Sequence, residues 1–294
     1  MINIKRLSEC SVDKAVKAWN VGFEGYFFDA TTNADAFLNR MVMEGLSTKL
    51  SVVAFHDQEP IGIVLSGIRE VNGEKIAWNG GTGVAKDFRK KGVGKLMMEA
   101  SFTIYREEGV KLATLEAISE NENAIKLYES IGYQIVDELE YLEMNGSQDE
   151  SPFGLSVEYK LQRLLPQQAG LLSFYKGGNP WQTQWQSAKG GEAITLVDES
   201  GIEAGYAYYR RSLDEKGNHV ATVLFQCEAN PECKDPASII ESLLHHVFGN
   251  CSESIKRVVP NMPVKKSKET SETLKSFGFK PTVKQVMMVK EMSN

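Results

Sequence analysis

The sequence predicts an α+β protein in which helices flank a mixed, mostly antiparallel sheet, and it predicts this fold in two tandem copies. Hydrophobic residues repeat with the period of a helix in some segments and with the period of a strand in others. Clusters of Gly, Pro, Asn and Asp separate these segments. The order of elements in the N-terminal half partly repeats in the C-terminal half. A chain of 294 residues is long enough for two such domains, each of about 100–150 residues.

The composition narrows the class of protein. A hydrophobic content of 42% and a charged content of 24% are typical of a globular protein with a sizeable core. The net charge of −6 argues against a broad surface for nucleic acid or anionic lipid, so we expect neither nucleic acid nor membrane as a partner. No run approaches the roughly 18–20 apolar residues of a membrane span. The four cysteines and four histidines lack the spacing of a disulfide framework or a zinc site, so we expect a cytoplasmic protein without a metal.

The first copy is predicted to follow the order β-α-α-β-β-β-α-β-α-β-β. The predicted strands, rich in β-branched and aromatic residues, cover 2–7, 50–55, 61–68, 75–84, 110–118 and 133–144, the last as one strand or two. A hairpin turn is predicted at 56–60. The predicted helices, with apolar residues every three or four positions, cover 11–23, 33–43, 92–109 and 121–131. Ser11 fits the N-cap of the first helix. The third helix is predicted to bury Val93, Leu96, Met97, Ala100 and Ile104.

The chain is predicted to change domain at residues 145–154, where polar and turn-forming residues concentrate. We therefore predict a first domain over 1–144, a linker over 145–154, and a second domain over 155–294. Segment 275–280, Lys-Ser-Phe-Gly-Phe-Lys, matches segment 129–134, Glu-Ser-Ile-Gly-Tyr-Gln. This internal repeat is the sequence evidence for the second copy. Its predicted strands cover 193–197, 204–211, 219–227 and 254–259, with a helix over 239–248.

The most informative stretch of the sequence is the basic, glycine-containing segment 84–95, which follows a strand and opens a helix. Backbone N–H groups at a helix start have no intrahelical partner and lie at the positive end of the helix dipole, so they bind phosphate readily. Gly92 and Gly94 leave those amides accessible. The alternative is a glycine-containing turn that binds no phosphate and whose basic residues form a solvated face. The segment is neither a Walker loop nor a Rossmann glycine motif.

Two motifs resemble one known family. Residues 89–94, Arg-x-x-Gly-x-Gly, resemble the pyrophosphate loop of the GCN5-related N-acetyltransferases (the GNAT superfamily), whose pattern is R/Q-x-x-G-x-G/A. Residues 121–133, Asn-x-x-Ala-x-x-Leu-Tyr-x-x-x-Gly-Tyr, resemble the family's N-x-x-A-x-x-L-Y-x-x-x-G-F segment. The resemblance covers residues 1–144. It implies the acyl-CoA N-acyltransferase (GNAT) fold, and an acyltransferase that uses acetyl-CoA as co-substrate.

The resemblance also implies where coenzyme A binds. In the family, the strand ahead of the loop diverges from its neighbour, and its free backbone groups pair with the pantetheine arm. The cofactor-binding residues implied are Thr82, Gly83, Val84, Arg89, Lys90, Lys91, Gly92, Val93, Gly94, Lys95 and Asn121. For Asn121, capping of the helix that it begins is an equally adequate explanation.

Tyr128 matches the family tyrosine that lies near the coenzyme A sulfur, so the resemblance implies that it is the general acid. The alternative is a tyrosine whose ring packs on the sheet. The general base is open, because the sequence around Asn79 has no carboxylate where many members have a glutamate. Glu116 is the residue we predict, acting directly or through water. Glu24 and Asp29 are alternatives, and each of the three also fits a plain surface carboxylate.

The acceptor is predicted to bind beside the first two helices. The candidate residues, which combine aromatic rings with carboxylates, are Trp19, Phe23, Glu24, Tyr26 and Asp29. They would suit an acceptor whose amine is carried on an apolar body, either a small molecule or a peptide. The alternative is that the rings belong to the core. A homodimer is also left open.

The second copy is predicted to lack a cofactor site. Its loop position, residues 233–240, contains no glycine, and Thr273 precedes Leu274 and Lys275 where the first copy has its Leu-Tyr pair.

The predicted function is N-acetyl transfer to a primary amine by direct transfer in a ternary complex. The alternative is a non-catalytic acyl-CoA-binding module with a regulatory or assembly role.

Overall fold

The computed structural model describes residues 1–147, 153–155, 158–249 and 251–292. The chain forms two compact units. The first contains Met1–Val136 together with Met287–Asn294, and the second contains Asp137–Val286. The predicted linker at 145–154 stays a prediction, because residues 148–152 lie outside the described residues.

The first unit follows the predicted order of elements. Its strands are β1 (Ile2–Arg6), β2 (Val52–His56), β3 (Glu59–Val71), β4 (Glu74–Val84) and β5 (Leu112–Ile118). Its helices are α1 (Val12–Gly22), α2 (Ala34–Glu44), α3 (Val93–Glu107) and α4 (Glu122–Ser130). The Ser11 side chain accepts a hydrogen bond from the amide of Lys14, which confirms Ser11 as the N-cap of α1. Among the described residues, no helix is both long and apolar enough to cross a membrane.

The sheet of the first unit is mixed. Strands β1 to β4 pair antiparallel in chain order, and β5 pairs parallel with β4 from Ile76–Leu112 to Asn79–Leu115. On its other side, β4 stays paired with β3 as far as Val84. In the described part of the chain, β4 and β5 therefore separate after Asn79, as the resemblance to the acetyltransferases implies.

Helix α3 packs on this sheet through one apolar face. Its buried residues include Val93, Met97 and Met98. The prediction that Leu96 is buried is wrong, since 44% of its surface is exposed. Helical spacing places Leu96 beside the buried stripe. The face that meets the strands is instead defined by Met98 and the buried residues that follow it along α3.

The second unit repeats the order of the first from the hairpin onward. The strand β6 (Gln134–Met144) begins in the first unit and ends in the second. The other strands of the second unit are β7 (Lys160–Leu164), β8 (Glu192–Val197), β9 (Glu203–Leu213), β10 (His219–Ala229) and β11 (Lys256–Pro263), with the first part of β12 (Lys280–Glu291). Its helices are α5 (Pro166–Ala169), α6 (Pro236–Phe248) and α7 (Lys268–Ser276).

The two units differ in the segment between the first strand (β1 or β7) and the hairpin that follows it (β2–β3 or β8–β9). The first unit has α1 and α2 there, whereas the second has only the short α5 and two 3₁₀ turns, Trp181–Thr183 and Trp185–Ser187. From β8 onward the order β-β-β-α-β-α-β matches that from β2 onward. The prediction of two copies of one fold is confirmed.

Candidate functional site

A cavity of about 460 Å³ lies in the first unit. It is bounded by the end of α1, the free end of β4, the loop before α3, and the start of α4. The residues that line it are Gly22, Phe23, Gly25, Tyr26, Phe27, Thr82, Val84, Phe88, Arg89, Lys90, Gly92, Gly94, Lys95, Asn121, Asn123, Ala124, Leu127 and Tyr128. Both sequence motifs therefore contribute to one cavity.

The loop before α3 presents the helix start to the cavity. Gly92 is the N-cap of α3, with a left-handed φ of 83° that a glycine adopts without strain. A Cβ atom added to Gly92 would meet no heavy atom within 4 Å, so the space beside it is open. Gly94 differs, because a Cβ atom there would lie 3.0 Å from Cδ2 of Leu127. Gly92 thus keeps the helix start accessible, and Gly94 lets α3 approach α4.

This arrangement fits a pyrophosphate. The first amides of α3 have no partner within the helix and lie at its positive end. Lys90 and Lys95 line the same cavity and supply two further positive charges. Lys91 and Val93, which were also predicted to bind the cofactor, lie outside the lining, and Val93 is 1% exposed.

Arg89 has a structural function in the loop. Its Nε donates to the Val84 carbonyl oxygen at 2.8 Å. Its Nη2 donates to the carbonyl oxygens of Gly22 at 3.3 Å and Glu24 at 2.6 Å. The guanidinium therefore ties the loop to the ends of β4 and α1. Its role in binding pyrophosphate stays a prediction.

The end of α1 touches the backbone of β4. A Cβ atom on Gly22 would lie 2.9 Å from the carbonyl carbon of Gly83, and one on Gly83 would lie 2.8 Å from the Phe23 ring. Gly83 is thus packed under Phe23, outside the cavity lining, whereas Thr82 and Val84 on either side of it line the cavity.

Tyr128 contributes the one phenol from α4 to the lining. The side chain is 7% exposed. Burial raises the pKa of Tyr128, the nearby Tyr26 raises it further, and hydrogen bonds with Thr82 and Asn79 oppose the rise. The structure thus places Tyr128 beside Thr82, one of the residues that the resemblance implies bind coenzyme A. The role of Tyr128 as general acid stays a prediction.

Asn121 serves both of the functions that the sequence left open. Its side chain accepts a hydrogen bond from the amide of Ala124 at 3.3 Å, which makes it the N-cap of α4. It also lines the cavity and hydrogen-bonds the hydroxyl of Tyr26, an interaction that lowers the Tyr26 pKa against the larger rise caused by burial.

The predicted acceptor residues divide into two groups. Phe23 and Tyr26 line the cavity, with their rings edge to face at 5.3 Å. Trp19 lies outside the lining and is 6% exposed. Its ring stacks on Phe23 at 4.0 Å, and its indole N–H donates to the Ala30 carbonyl oxygen at 2.8 Å. Trp19 therefore supports the ring of Phe23 from the core.

The structure brings none of the three candidate bases into the cavity lining. Glu24 and Asp29 are exposed, and Asp29 accepts a hydrogen bond from the Thr31 amide at 2.9 Å, one of two Thr31 bonds that lower its pKa. Glu116 is half-buried on β5, where its Oε2 accepts from the indole N–H of Trp78 at 2.6 Å. The general base stays open.

Several residues of the lining were not predicted. Ala124 and Leu127 lie within the motif on α4, so the motif itself could have identified them. Phe88 lies in the basic loop. Gly22 and Gly25 carry no signal in the sequence, because they contact the cavity only through the tertiary packing of α1 on β4.

Residues 14–133 match the sequence model of the family described as "Acetyltransferase (GNAT) family". This part of the chain therefore belongs to the GNAT superfamily, which confirms the resemblance drawn from the two motifs. Membership implies the use of an acyl-CoA. No curated protein sequence matches the chain.

Solved structures match over the whole chain. A GCN5-related N-acetyltransferase from Sphaerobacter thermophilus is 13% identical with a TM-score of 0.66, covering 100% of this chain and 96% of that one. A tandem GNAT protein from the clavulanic acid biosynthesis pathway is 11% identical with a TM-score of 0.61, covering 100% and 99%. A putative acetyltransferase from Pyrococcus horikoshii is 14% identical with a TM-score of 0.57, covering 100% and 89%. These likenesses show the fold alone: two tandem copies of the GNAT fold.

Proposed function

We propose that the first unit is an N-acetyltransferase that moves an acetyl group from acetyl-CoA to a primary amine within a ternary complex. The observation that carries the proposal is the cavity of about 460 Å³, which has an open helix start at Gly92 and the phenol of Tyr128 in one lining. The first feature suits the pyrophosphate of coenzyme A, and the second suits the leaving sulfur.

The residues of the first unit would hold acetyl-CoA in a definite direction. The amides at the start of α3, with Lys90 and Lys95, would bind the pyrophosphate. The edge of β4 that is free of β5 beyond Asn79 would pair with the pantetheine arm around Thr82 and Val84. The thioester would then lie beside Tyr128.

The reaction needs one bond made and one broken. The amine nitrogen attacks the thioester carbonyl carbon, the new C–N bond forms, and the C–S bond breaks with its electron pair moving to sulfur. Tyr128 gives its proton to that sulfur, and the proton lost by the amine returns to the phenolate through solvent. A backbone N–H of β4 would stabilise the oxyanion. Holding both reactants in place supplies much of the rate.

The acceptor is an amine, of a small molecule or a peptide. Phe23 and Tyr26 offer apolar surface on the α1 side of the cavity, which supports an acceptor with an apolar body. In this proposal, Trp19 acts on the acceptor only by supporting Phe23.

Release of coenzyme A from acetyl-CoA, measured with a panel of aliphatic, aromatic and peptide amines, tests the proposal. Amine-dependent release above the rate without enzyme would support it. Tight binding of acetyl-CoA with no release for any amine would favour a non-catalytic acyl-CoA-binding module. One observation supports that second candidate: Glu24, Asp29 and Glu116 all lie outside the cavity lining.

A further inference from the structure

Gly80 is the extra residue of a β-bulge in β4. On one side of it, Asn79 pairs with Ser66 of β3, and on the other side Gly81 pairs with Leu65. In the register of the described strands, Gly80 therefore lies opposite no residue of β3, and the pairing of β4 with β5 ends at Asn79. The extra residue of a bulge leaves the ladder of strand hydrogen bonds, so the peptide groups around it need other partners.

Two side chains supply those partners. Arg40 of α2 donates from Nη2 to the Gly80 carbonyl oxygen at 2.7 Å. The next backbone amide, that of Gly81, donates to Oδ1 of Asn79 at 3.0 Å. Asn79 belongs to β4 itself, whereas Arg40 reaches the bulge from another element. A hydrogen bond from a charged donor is stronger than one between neutral groups, so the Arg40 bond is the stronger of the two.

The Arg40 guanidinium is itself held in place. Its Nε donates to the carboxylate of Glu44, one turn further along α2, at 2.9 Å. Its Cζ lies 4.3 Å from the centre of the Trp19 ring, which is a cation–π contact. The same ring packs against the bulge, since a Cβ atom added to Gly81 would lie 3.1 Å from it. Helices α1 and α2 together therefore fix the guanidinium at the Gly80 carbonyl group.

The bulge determines which residues of β4 face the cavity. Successive side chains of a strand point to opposite faces, and a shift of one residue in the pairing reverses all of them. Beyond the bulge, Thr82 and Val84 line the cavity. Gly83 faces α1, where a Cβ atom would lie 2.8 Å from the Phe23 ring. Without the bulge, Thr82 would take the crowded position under Phe23, and different backbone groups would face the free edge of β4.

We propose that Arg40 is a positioning residue: by binding the carbonyl oxygen of Gly80, it holds the bulge in place and so sets which backbone groups of β4 face the pantetheine arm of acetyl-CoA. This inference rests on the proposed binding of acetyl-CoA to the first unit. Arg40 lies outside the cavity lining and acts only through β4. Its loss should therefore weaken binding of the pantetheine half of the ligand and leave binding of the pyrophosphate half, at the start of α3, unchanged.

Titration calorimetry with two ligands tests this division. Acetyl-CoA contains both halves, whereas 3′-phospho-ADP carries the pyrophosphate without the pantetheine arm. Arg40→Met removes the donor and keeps a long side chain, so we expect acetyl-CoA to bind about tenfold more weakly and 3′-phospho-ADP to bind as it does to the parent. Arg106→Met, the same substitution at an exposed position of α3, is the matched control. Unchanged affinity for acetyl-CoA in Arg40→Met would overturn the proposal, and so would an equal loss for both ligands.

A readout independent of ligand and turnover is the Gly80 carbonyl group itself. The chain contains three Gly-Gly pairs, at 80–81, 177–178 and 190–191. Glycine labelled with ¹³C at the carbonyl and ¹⁵N at the amide therefore gives three signals in an NMR experiment that correlates each amide with the preceding carbonyl. Gly178→Ala and Gly190→Asn identify the other two signals by removing them. In Arg40→Met, the Gly80 carbonyl signal should move upfield, as loss of a hydrogen bond causes, while the other two stay in place.

Arg40→Lys keeps the inference testable if Arg40→Met does not fold. The lysine keeps a donor for Gly80 but loses the planar contact with Trp19 and the second donor for Glu44, so both effects should appear in the same direction and be smaller. A Gly80 signal that moves without any loss of affinity for acetyl-CoA would overturn the proposal. Failure of the parent protein to bind acetyl-CoA would overturn the proposed function instead, and this inference with it.

Discussion

The two units share one fold but treat the divergence of their parallel strands in different ways. In the first, β4 and β5 pair only as far as Asn79, and the cavity lies beyond that point. In the second, β10 and β11 pair from Ala221–Lys256 to Val223–Val258. Past that point, Asn261 on β11 donates to the Gln182 side chain at 2.9 Å, and Gln226 on β10 donates to the Thr183 carbonyl oxygen at 3.1 Å.

The second unit therefore bridges its diverging strands with its own chain. Trp181 and Thr183 are 2% and 1% exposed, and the Tyr208 hydroxyl donates to the Thr183 carbonyl oxygen at 2.6 Å. This 3₁₀ turn belongs to the connection that replaces α1 and α2. The connection between the first strand of each unit and the hairpin that follows it therefore decides whether the diverging strands border a cavity or are bridged by the unit's own chain.

The helix starts of the two units also differ: the first is open to a ligand, and the second is occupied by a side chain of the protein. Helix α3 begins at Gly92, which has open space beside it. Helix α6 begins after Asp235, whose carboxylate accepts from the Ser238 amide at 3.1 Å, and Pro236 at its first position has no N–H. A carboxylate already occupies the place where a phosphate would bind.

The largest expected effect is the loss of acetyl-CoA binding in Gly92→Asp, which gives the first unit an acidic residue like that of the second. A carboxylate beside the α3 amides opposes pyrophosphate by charge, so the rise in melting temperature caused by acetyl-CoA should disappear. Gly109→Asp is the matched control, because Gly109 also has a positive φ, 73°, and open space beside it, but lies after the other end of α3. An equal ligand-induced rise in both variants would remove the pyrophosphate assignment.

Tyr128→Phe should have the next largest effect. At the point of α7 that corresponds to Tyr128, the second unit has Leu274 instead of a tyrosine. If the hydroxyl protonates the leaving sulfur, kcat should fall by about 10²-fold while acetyl-CoA binding changes little. Steady-state kinetics and calorimetry measure the two quantities. Unchanged turnover would leave Tyr128 as a packing residue of α4.

Local signals were sufficient to predict most of the fold. Periodicity and caps predicted the helices and strands of the first unit, and β8 to β11 with α6 in the second, because each depends on neighbouring residues. The strands β7 and β12 and the helices α5 and α7 were not predicted. The predicted turn at 56–60 was too long, since β3 already begins at Glu59 and Pro60 pairs with Phe55 next to a bulge. Proline is tolerated at such a position because the lost N–H is not needed there.

The site was predictable only where it is continuous in sequence. The loop around Gly92 and the helix carrying Tyr128 are local motifs. The contacts of Arg89 with Gly22 and Glu24 join segments far apart in the chain. The orientation of Asn79 depends on a bulge in pairing with β3. Such features arise from tertiary packing, which no pattern of neighbouring residues specifies.

A smaller effect is expected from substitution of Glu228, a buried carboxyl group of the second unit. Tyr206 pairs with Glu228 as Ile63 pairs with Gly83 in the first unit, so Glu228 occupies the position of Gly83. Burial raises the pKa of Glu228 to about 7, against the lowering effects of the Ser267 hydroxyl and Lys176, while Glu269 raises it slightly.

Glu228→Gln should therefore stabilise the protein at alkaline pH. Because the folded pKa is above the unfolded value, the ionised carboxyl costs stability above about pH 7, and this cost shrinks as the pH falls toward the unfolded pKa of about 4.3. The glutamine still accepts from Ser267. We expect a gain of up to about 4 kcal/mol at pH 8, from 1.36 kcal/mol per pKa unit, and almost none near pH 4.5, measured by denaturant unfolding. A gain that is the same at both pH values would contradict the burial of an ionisable group.

The last prediction is an absence of change: the chain should bind one acetyl-CoA, and Asp235→Gly should not add a second. Removing the carboxylate frees the start of α6, but Pro236 still lacks an N–H, and the turn at Trp181–Thr183 still bridges β10 and β11. Both obstacles would have to go before pantetheine could pair with β10. Titration calorimetry on the full chain counts the sites, with Gly92→Asp as the background in which any second site would be seen alone. A stoichiometry of two in the parent protein would make both units acyl-CoA-binding. Two sites only in Asp235→Gly would show that the helix start alone, and not the bridging turn, keeps the second unit closed to acetyl-CoA.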